Sequence, residues 1–322
     1  MENLVEKGKI LEIKSGSHLY GLNTPISDED YVGVFLAPED YIYGLKTVEQ
    51  VDLSIVDKHE NGKNTQFAVD RKFYELKRFI KLASQGNPNV IEILFVGEES
   101  IVYASSFGRH LLENRKLFVS RNIIPKFLGY AESQKRKLMV KTENMRDLID
   151  GLKFLQNELD KGNDKITLPE LIGNVEFDRI FKENKNKVHF NIGAYTLNRN
   201  ITIKSAVKWI EEIISNTSHR IENIKNVGWE FKHGSHLLRL LYQTIELCET
   251  GDLKYPLKYK DVLLKVKTGE MSYMEFIDLV EKAEARLQEV KDNNVLPKSP
   301  DMKKIEKMVM EGYKKWLLEE KK

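Results

Sequence analysis

A chain of 322 residues, 41% hydrophobic and 31% charged, is long enough to bury a sizeable core as one large domain or two smaller ones. Its 51 basic and 49 acidic residues leave a formal net charge of +2, so the overall charge does not indicate nucleic-acid binding and any basic patch must be local. No apolar run approaches the roughly 20 residues that span a bilayer, and the N-terminal MENLVEKGKI lacks the pattern of a secretory signal. We therefore expect no membrane span and a cytoplasmic location.

The first hundred residues combine strand-like and helical patterns. Strands are predicted where apolar residues alternate or β-branched residues cluster, at 9–14, 31–37, 51–57 and 66–70. A short helix or turn is predicted at 17–22, and Asn61-Gly62 is typical of a hairpin turn. Apolar residues at helical spacing predict one helix from Phe73 to Gly86 and a second that begins at Asn87-Pro88.

The rest of the chain is mostly helical by its apolar period. Helices are predicted at 107–118, 121–139, 143–159, 204–225, 235–250, 258–267, 272–292 and 301–320. Residues 160–203 interrupt this pattern and predict an irregular insertion with short strands. The prediction is an α+β fold, with one domain at 1–105 and a mainly helical domain at 106–322. The single cysteine, Cys248, lies in an apolar helical pattern and is expected to pack in the core.

Two pairs of residues near the N-terminus suggest chemistry. Gly16-Ser17 ends the first predicted strand, where backbone amides and the Ser17 hydroxyl could hold phosphate oxygens. Asp28 and Asp30 are two apart, so on an extended backbone their carboxylates share a face, repel each other and favour a hard divalent cation such as Mg²⁺. Each fragment alone is common, and the alternative is a capped turn with solvated acids.

Taken together, these fragments are a more specific signal than either one alone. The segment GSHLYGLNTPISDED (16–30) resembles the GSxxYGLxxPxSDxD motif of the DNA polymerase beta superfamily, in its prokaryotic and phage branch linked to RNA repair. Segments 70–95, 125–138 and 229–253 match this branch as well, together with the tail LPKSPD (296–301). The resemblance implies an N-terminal nucleotidyltransferase domain with a mixed sheet and flanking helices, followed by a mainly helical substrate-binding or nucleotide-binding domain.

The resemblance also implies a catalytic and metal-binding set of Asp28, Asp30 and Asp70, in which Asp70 is the third acid. By residue chemistry alone, Asp52 and Asp57 compete with Asp70, because both also lie at strand-like ends. The implied cofactor is Mg²⁺, with Mn²⁺ as the alternative, and the implied substrate is an NTP. Two metal ions can activate an attacking hydroxyl and stabilise departing pyrophosphate.

Supporting residues have two interpretations each. Tyr20 could stack on or hydrogen-bond the nucleotide, or could pack in the core. Arg78 and Lys81, on the helix after Asp70, could reach the triphosphate, or could be solvated surface residues. Asn87 is expected to cap the helix that begins at Pro88.

A polar strip crosses an otherwise apolar helix near residue 235. Lys232, His236 and Arg239 share one helix face and resemble a strip of the family that faces NTP phosphates or the acceptor. The alternative is a buried histidine network, while zinc binding by His233 and His236 is disfavoured because no cysteine or carboxylate cluster accompanies them. Residues 188–200 could stack on an RNA end or could brace the domain.

The sequence thus predicts an Mg²⁺-dependent nucleotidyltransferase that transfers NMP from an NTP to an acceptor hydroxyl. The resemblance favours an RNA 3′ end, such as that of tRNA, as the acceptor. Two alternatives remain open: nucleotidylation of a protein or small molecule, and a non-catalytic module that binds nucleotide or RNA. The cluster of acids argues against the last, because carboxylates that repel one another without a metal serve no purpose in an inactive site.

Overall fold

The computed structural model describes residues 1–25, 27–57, 68–216 and 229–320. These residues form two compact units. Unit 1 consists of 1–132, 235–267 and 278–322, and unit 2 consists of 133–234 and 268–277. The predicted hairpin turn at Asn61-Gly62 and the last part of the predicted helix 204–225 lie outside the described residues.

The strands form one sheet in each unit. Unit 1 contains β1 (Lys9–Lys14), β2 (Glu29–Phe35), β3 (Gln50–Asp52), β4 (Val69–Glu75) and β5 (Ile101–Ala104), and unit 2 contains β6 (Phe181–Glu183), β7 (His189–Ile192) and β8 (Tyr195–Asn198). The larger sheet has the order β3-β4-β2-β1-β5, in which β2 and β4 are parallel and the other pairs are antiparallel. The smaller sheet is antiparallel, in the order β6-β7-β8.

Helices make up most of the remaining described structure. In chain order they are α1 (Glu2–Gly8), α2 (Gly16–Tyr20), α3 (Glu39–Ile42), α4 (Leu76–Ser84), α5 (Pro88–Leu94), α6 (Ser106–Glu113), α7 (Ile123–Asp160), α8 (Val175–Ile180), α9 (Ile203–Asn216), α10 (Phe231–Thr250), α11 (Lys260–Thr268), α12 (Tyr273–Asp292) and α13 (Met302–Glu320). The protein is therefore α+β with a mixed sheet, as predicted. None of the helices in the described part of the chain is long and apolar enough to cross a membrane.

Unit 1 is held together by apolar packing on its sheet. Phe35 and Phe73 are fully buried in one cluster, and Gly33 lies so close to Phe73 that a Cβ at residue 33 would stand 2.2 Å from its ring. Helix α6 approaches β1 equally closely, since a Cβ at Gly108 would lie 2.0 Å from the Ile10 carbonyl oxygen. Because helices beyond residue 105 pack directly on the sheet, the predicted domain boundary at 105 falls inside unit 1.

Unit 2 has a core of its own, to which the predicted insertion at 160–203 contributes. The Phe177 ring stacks on Phe181 at 4.8 Å and meets Phe190 edge-on at 5.3 Å. Short strands in this segment are confirmed by β6, β7 and β8. The segment is not irregular in packing, because its strands bury Phe181, Phe190 and Leu197 against α7 and α9.

The predicted helices differ from the structure at α7 and at the start of α4. The segments 121–139 and 143–159 were expected as separate helices, but α7 runs unbroken from Ile123 to Asp160. Between these segments the sequence has no glycine or proline, so nothing interrupts the helical hydrogen bonds. The helix expected from Phe73 begins at Leu76, because Phe73 and Glu75 continue β4 and the Glu75 carboxylate caps α4.

Candidate active site

The turn between β1 and α2 lies directly against Asp30. The backbone N–H of Ser15 donates to the Asp30 carbonyl oxygen at 2.8 Å. Gly16 has a φ of +61°, and a Cβ at this position would stand 1.9 Å from the Asp30 Oδ2 atom. Only glycine combines this left-handed backbone with room for the carboxylate. The Gly16 backbone and the Asp30 carboxylate therefore pack directly against each other in the site.

Asp30 and Asp70 are brought together by strand pairing. Strands β2 and β4 are parallel neighbours, and Asp30 stands opposite Asp70 in their register. Register neighbours project their side chains to the same face of a sheet. Two carboxylates that are 40 positions apart in the sequence thus lie side by side, next to the Gly16 turn.

These residues line a pocket of about 240 Å³. Its wall includes Ser15, Gly16, Tyr20, Asp30, Asp70, Lys72, Tyr74, Asn89 and Glu92. Strand alternation places Lys72 and Tyr74 on the same face as Asp70. The pocket thus combines carboxylates, an ammonium, a phenol and an amide around a glycine turn.

The Asp70 carboxylate is already occupied by polar partners. Lys72 Nζ lies 2.8 Å from Asp70 Oδ1 and 3.0 Å from Oδ2, and the Ser54 hydroxyl donates to Oδ1 at 3.0 Å. Hydrogen bonding to Asp70 raises the pKa of the Lys72 ammonium, against a smaller lowering by burial. Asp52, a competitor for the third position, accepts the Ser54 backbone N–H at 2.9 Å and does not line the pocket.

A buried polar network lies beneath the pocket. The Arg239 guanidinium forms an ion pair with Glu92, and the side chains of both are almost fully buried. Glu92 Oε2 also accepts the Tyr20 hydroxyl at 2.6 Å, and Arg239 lies 4.1 Å from the centre of the Tyr20 ring. The network continues through Gln243, which accepts from Arg239 and donates to the Tyr255 hydroxyl, each at 3.0 Å. Burial raises the pKa of Tyr20, so its hydroxyl is a donor and not a base.

Other predicted site residues lie elsewhere in the fold. Asp28 and Ser17 do not line the pocket. The ring of His18, in α2, makes a hydrogen bond with the Asp28 backbone. Arg78 and Lys81 line a different cavity, of about 270 Å³, where Arg78 Nε lies 3.5 Å from Glu49.

The predicted polar strip on α10 is divided. Lys232 belongs to unit 2, whereas His236 and Arg239 belong to unit 1. Arg239 is buried and does not line the pocket, so it meets the pocket only through Tyr20 and Glu92. A histidine network is present in unit 2.

That network is centred on His233. Its Nδ1 lies 2.7 Å from Gln134 Oε1, and its Nε2 lies 2.6 Å from the Lys141 ammonium. Nδ1 therefore carries the proton, and Nε2 accepts from Lys141. Burial lowers the pKa of His233, which keeps the ring neutral. With both ring nitrogens engaged in this way, His233 has no lone pair left for a metal.

Comparison with known proteins places the chain in a family. Residues 5–307 match the model of the RlaP family, described as the RNA repair pathway DNA polymerase beta family. The chain belongs to this family. It is accordingly a member of a polymerase beta-like nucleotidyltransferase family linked to RNA repair.

Two individual proteins also resemble the chain, both at low sequence identity. The chain is 28% identical over 320 residues to an uncharacterized 38.9 kDa protein from the nrdC-mobD intergenic region of Enterobacteria phage T4, with 88% of this chain and 90% of the relative covered. A crystal structure of a nucleotidyltransferase-like protein from Exiguobacterium sibiricum 255-15 aligns over 91% of this chain and 71% of that one, at 8% identity and a TM-score of 0.25.

The donor chemistry of the pocket suits a magnesium ion. Within residues 1–25, 27–57, 68–216 and 229–320, no three or more histidine, cysteine, aspartate or glutamate side chains are arranged as a metal site. Mg²⁺, however, is usually bound by one or two carboxylates and completes its shell with water and substrate phosphates. Asp30 and Asp70 are such a pair, and the close approach of Gly16 leaves one side of Asp30 without side-chain bulk.

Sequence reasoning missed several pocket residues. Lys72 and Tyr74 follow Asp70 at alternate positions, so the period of a strand through residue 75 would have found them. Glu92 is buried in α5, whose other buried residues are apolar, and a lone acid in such a pattern signals a buried partner. Asn89 is reached only through the packing of α5 on the sheet.

The interpretation of 188–200 as an RNA-stacking surface is weakened by burial. Phe190 is 1% exposed and packs on Phe177, while Tyr195 meets the Trp209 ring edge-on at 6.5 Å. These aromatic rings serve the core of unit 2. The alternative interpretation of the segment, as a brace of its domain, agrees with this packing.

Proposed function

We propose that this protein is an Mg²⁺-dependent nucleotidyltransferase that transfers NMP from an NTP to an acceptor hydroxyl and releases pyrophosphate. The single observation that carries the proposal is the register pairing of Asp30 with Asp70 beside the Gly16 turn. Family membership supports the reaction type. The link of the family to RNA repair favours an RNA 3′ end, as in tRNA, as the acceptor.

The acids and the glycine turn predicted from the sequence have defined roles in this proposal. Asp28, Asp30 and Asp70 would hold the metal, and Asp70, the third acid, would also orient or deprotonate the acceptor hydroxyl. Gly16 and Ser17 bind phosphate oxygens through backbone amides and the hydroxyl. When bound, the metal neutralises charge on the phosphates and favours the ionised acceptor.

The buried network supports positioning. Because Arg239 lies against the Tyr20 ring and Glu92 binds the Tyr20 hydroxyl, the two residues fix the C-terminal end of α2. A fixed α2 keeps the Gly16 turn beside Asp30. We therefore assign Arg239 to positioning through Tyr20, in place of direct phosphate binding.

Besides Ser17 and Arg239, four further predicted nucleotide ligands lie outside the pocket lining. Arg78, Lys81, Lys232 and His236 remain proposed contacts to NTP phosphates or to the acceptor. Alanine variants of each, assayed for the KM of the NTP, test these assignments one by one. An unchanged KM removes the residue from the site.

A labelling experiment tests the proposed function. The protein is incubated with each α-³²P-NTP, Mg²⁺ or Mn²⁺, and a panel of tRNA, other RNA and protein, with EDTA as the metal control. We expect label on RNA 3′ ends that depends on the divalent ion. Asp30→Asn and Asp70→Asn should each reduce it at least 100-fold, whereas Asp278→Asn, which removes an exposed acid from an ion pair with Lys282, should not.

The pattern of label separates the alternatives. Label on protein or on a small molecule would retain the chemistry and change the acceptor. The absence of any transfer by the wild-type protein, together with unchanged behaviour of the Asp30 and Asp70 variants, would leave only a binding module.

A further inference from the structure

Lys72 forms an ion pair with the Asp70 carboxylate, which the proposed metal site needs. Its ammonium lies within 3.0 Å of both Asp70 oxygens, and the two side chains are 37% and 48% exposed. The pair thus stands open to ligands on the pocket face of β4.

A divalent ion and the Lys72 ammonium compete for Asp70. Mg²⁺ binds carboxylate oxygen at about 2.1 Å, while the ammonium stands 2.8 Å from Oδ1 of the same group. Two cations this close on one carboxylate repel each other strongly. The pair is weak enough to exchange, because solvent screens the attraction between exposed charges.

The released ammonium has two destinations. Lys72 lines the same pocket as Asp30 and Tyr74, where the triphosphate of the proposed substrate would lie. The other destination is Asp52, which stands opposite Lys72 in the register of β3 and β4. Asp52 already accepts the Ser54 backbone N–H, and it does not line the pocket. The pocket is therefore the favoured destination.

We propose that Lys72 is an exchangeable counter-ion of the site: it neutralises Asp70 until a divalent ion binds, and it then binds a phosphate oxygen of the incoming NTP. This inference rests on the proposed function. Its signature is an opposite effect on two ligands, because removing the ammonium should favour the metal and disfavour the phosphates. A merely structural lysine would weaken both or neither.

The test uses the full-length protein and two simple probes. Mn²⁺ alone is titrated and free ion is followed by electron paramagnetic resonance, and inorganic tripolyphosphate is titrated calorimetrically at saturating Mn²⁺. The variants are Lys72→Met and Asp70→Asn. Lys46→Met is the matched control, because it removes an exposed lysine paired with Asp40 at 2.6 Å, away from the pocket. Circular dichroism confirms that each variant is folded.

We expect Lys72→Met to bind Mn²⁺ about threefold more tightly, as the loss of a competing exposed ion pair implies. It should bind tripolyphosphate about tenfold more weakly, as the loss of a charge-assisted hydrogen bond implies. Lys46→Met should change neither affinity, and Asp70→Asn should weaken Mn²⁺ binding.

Other outcomes overturn the inference in distinguishable ways. Unchanged or weaker Mn²⁺ binding by Lys72→Met refutes the counter-ion role, even if Asp70→Asn shows that the metal site exists. Tighter Mn²⁺ binding with unchanged tripolyphosphate binding refutes the phosphate role and points to Asp52 as the destination. If the wild-type protein binds no Mn²⁺, or Asp70→Asn binds it as well as the wild type, the metal site of the proposed function fails as well.

Discussion

Substitution of Gly16 by alanine tests whether the close approach of the turn to Asp30 matters for activity. An L-residue in the left-handed region costs about 1–2 kcal/mol of stability. In a domain of moderate size, each kcal/mol lost lowers the melting temperature by roughly 2–4 °C. The new Cβ would stand 1.9 Å from Asp30 Oδ2, so the carboxylate must turn away. Because displacement of a reacting group by about 1 Å can cost 10²-fold in rate, we expect transfer activity to fall about 100-fold.

A second glycine provides the control for this substitution. Gly162 has a φ of +88°, and a Cβ there would meet no heavy atom within 4 Å. Gly162→Ala therefore imposes comparable backbone strain without touching the pocket. Melting temperatures are measured by scanning calorimetry, and rates by transfer of label from α-³²P-NTP. Similar losses of stability with a rate loss confined to Gly16→Ala would support the reasoning, whereas equal rates in the two variants would refute it.

Three further predictions concern stability. Glu92→Gln should lower the free energy of unfolding in urea by about 3–5 kcal/mol, because it leaves the buried Arg239 charge unpaired. Adding Arg239→Met should recover most of this loss. A double variant that is less stable than Glu92→Gln would contradict the prediction. Burial lowers the pKa of His233, so the unfolded chain binds more protons just below pH 6.5 and stability should fall as the pH decreases through that range. The urea midpoint between pH 5 and 7.5 should show this slope. His233→Gln should reduce it, leaving the part that is due to His18, whose pKa is also lowered by burial, and the exposed His110 changed to Gln should leave it unchanged. Asn87→Ala should lower stability by about 1 kcal/mol through loss of a helix cap, and Asn87→Asp should not.

Local sequence patterns were sufficient for much of unit 1. The alternation of apolar residues predicted β1 correctly, and the Asn87 cap on α5 is confirmed by its acceptance of the Asn89 backbone N–H at 3.1 Å. The pairing of Asp30 with Asp70 could not be read in this way. Parallel register depends on the course of the whole chain between two strands, which no local pattern contains.

The identity of buried partners could not be read from the sequence either. The face shared by Lys232, His236 and Arg239 was correctly placed on a helix, but its interpretation depended on what lies opposite. Glu92 is 147 positions from Arg239, and the ion pair between them exists only once α5 and α10 have packed. A basic residue on an apolar helix face therefore predicts a partner without telling whether that partner is substrate or protein.

The points at which the chain passes between the two units have a consequence for its evolution and for attempts to dissect it. All four crossings, after residues 132, 234, 267 and 277, fall inside helices α7, α10, α11 and α12. Natural modules that are exchanged between genes, and fragments released by limited proteolysis, usually end in exposed linkers. Because the crossings lie inside helices, we expect that neither unit can be cut out of the chain at a natural linker.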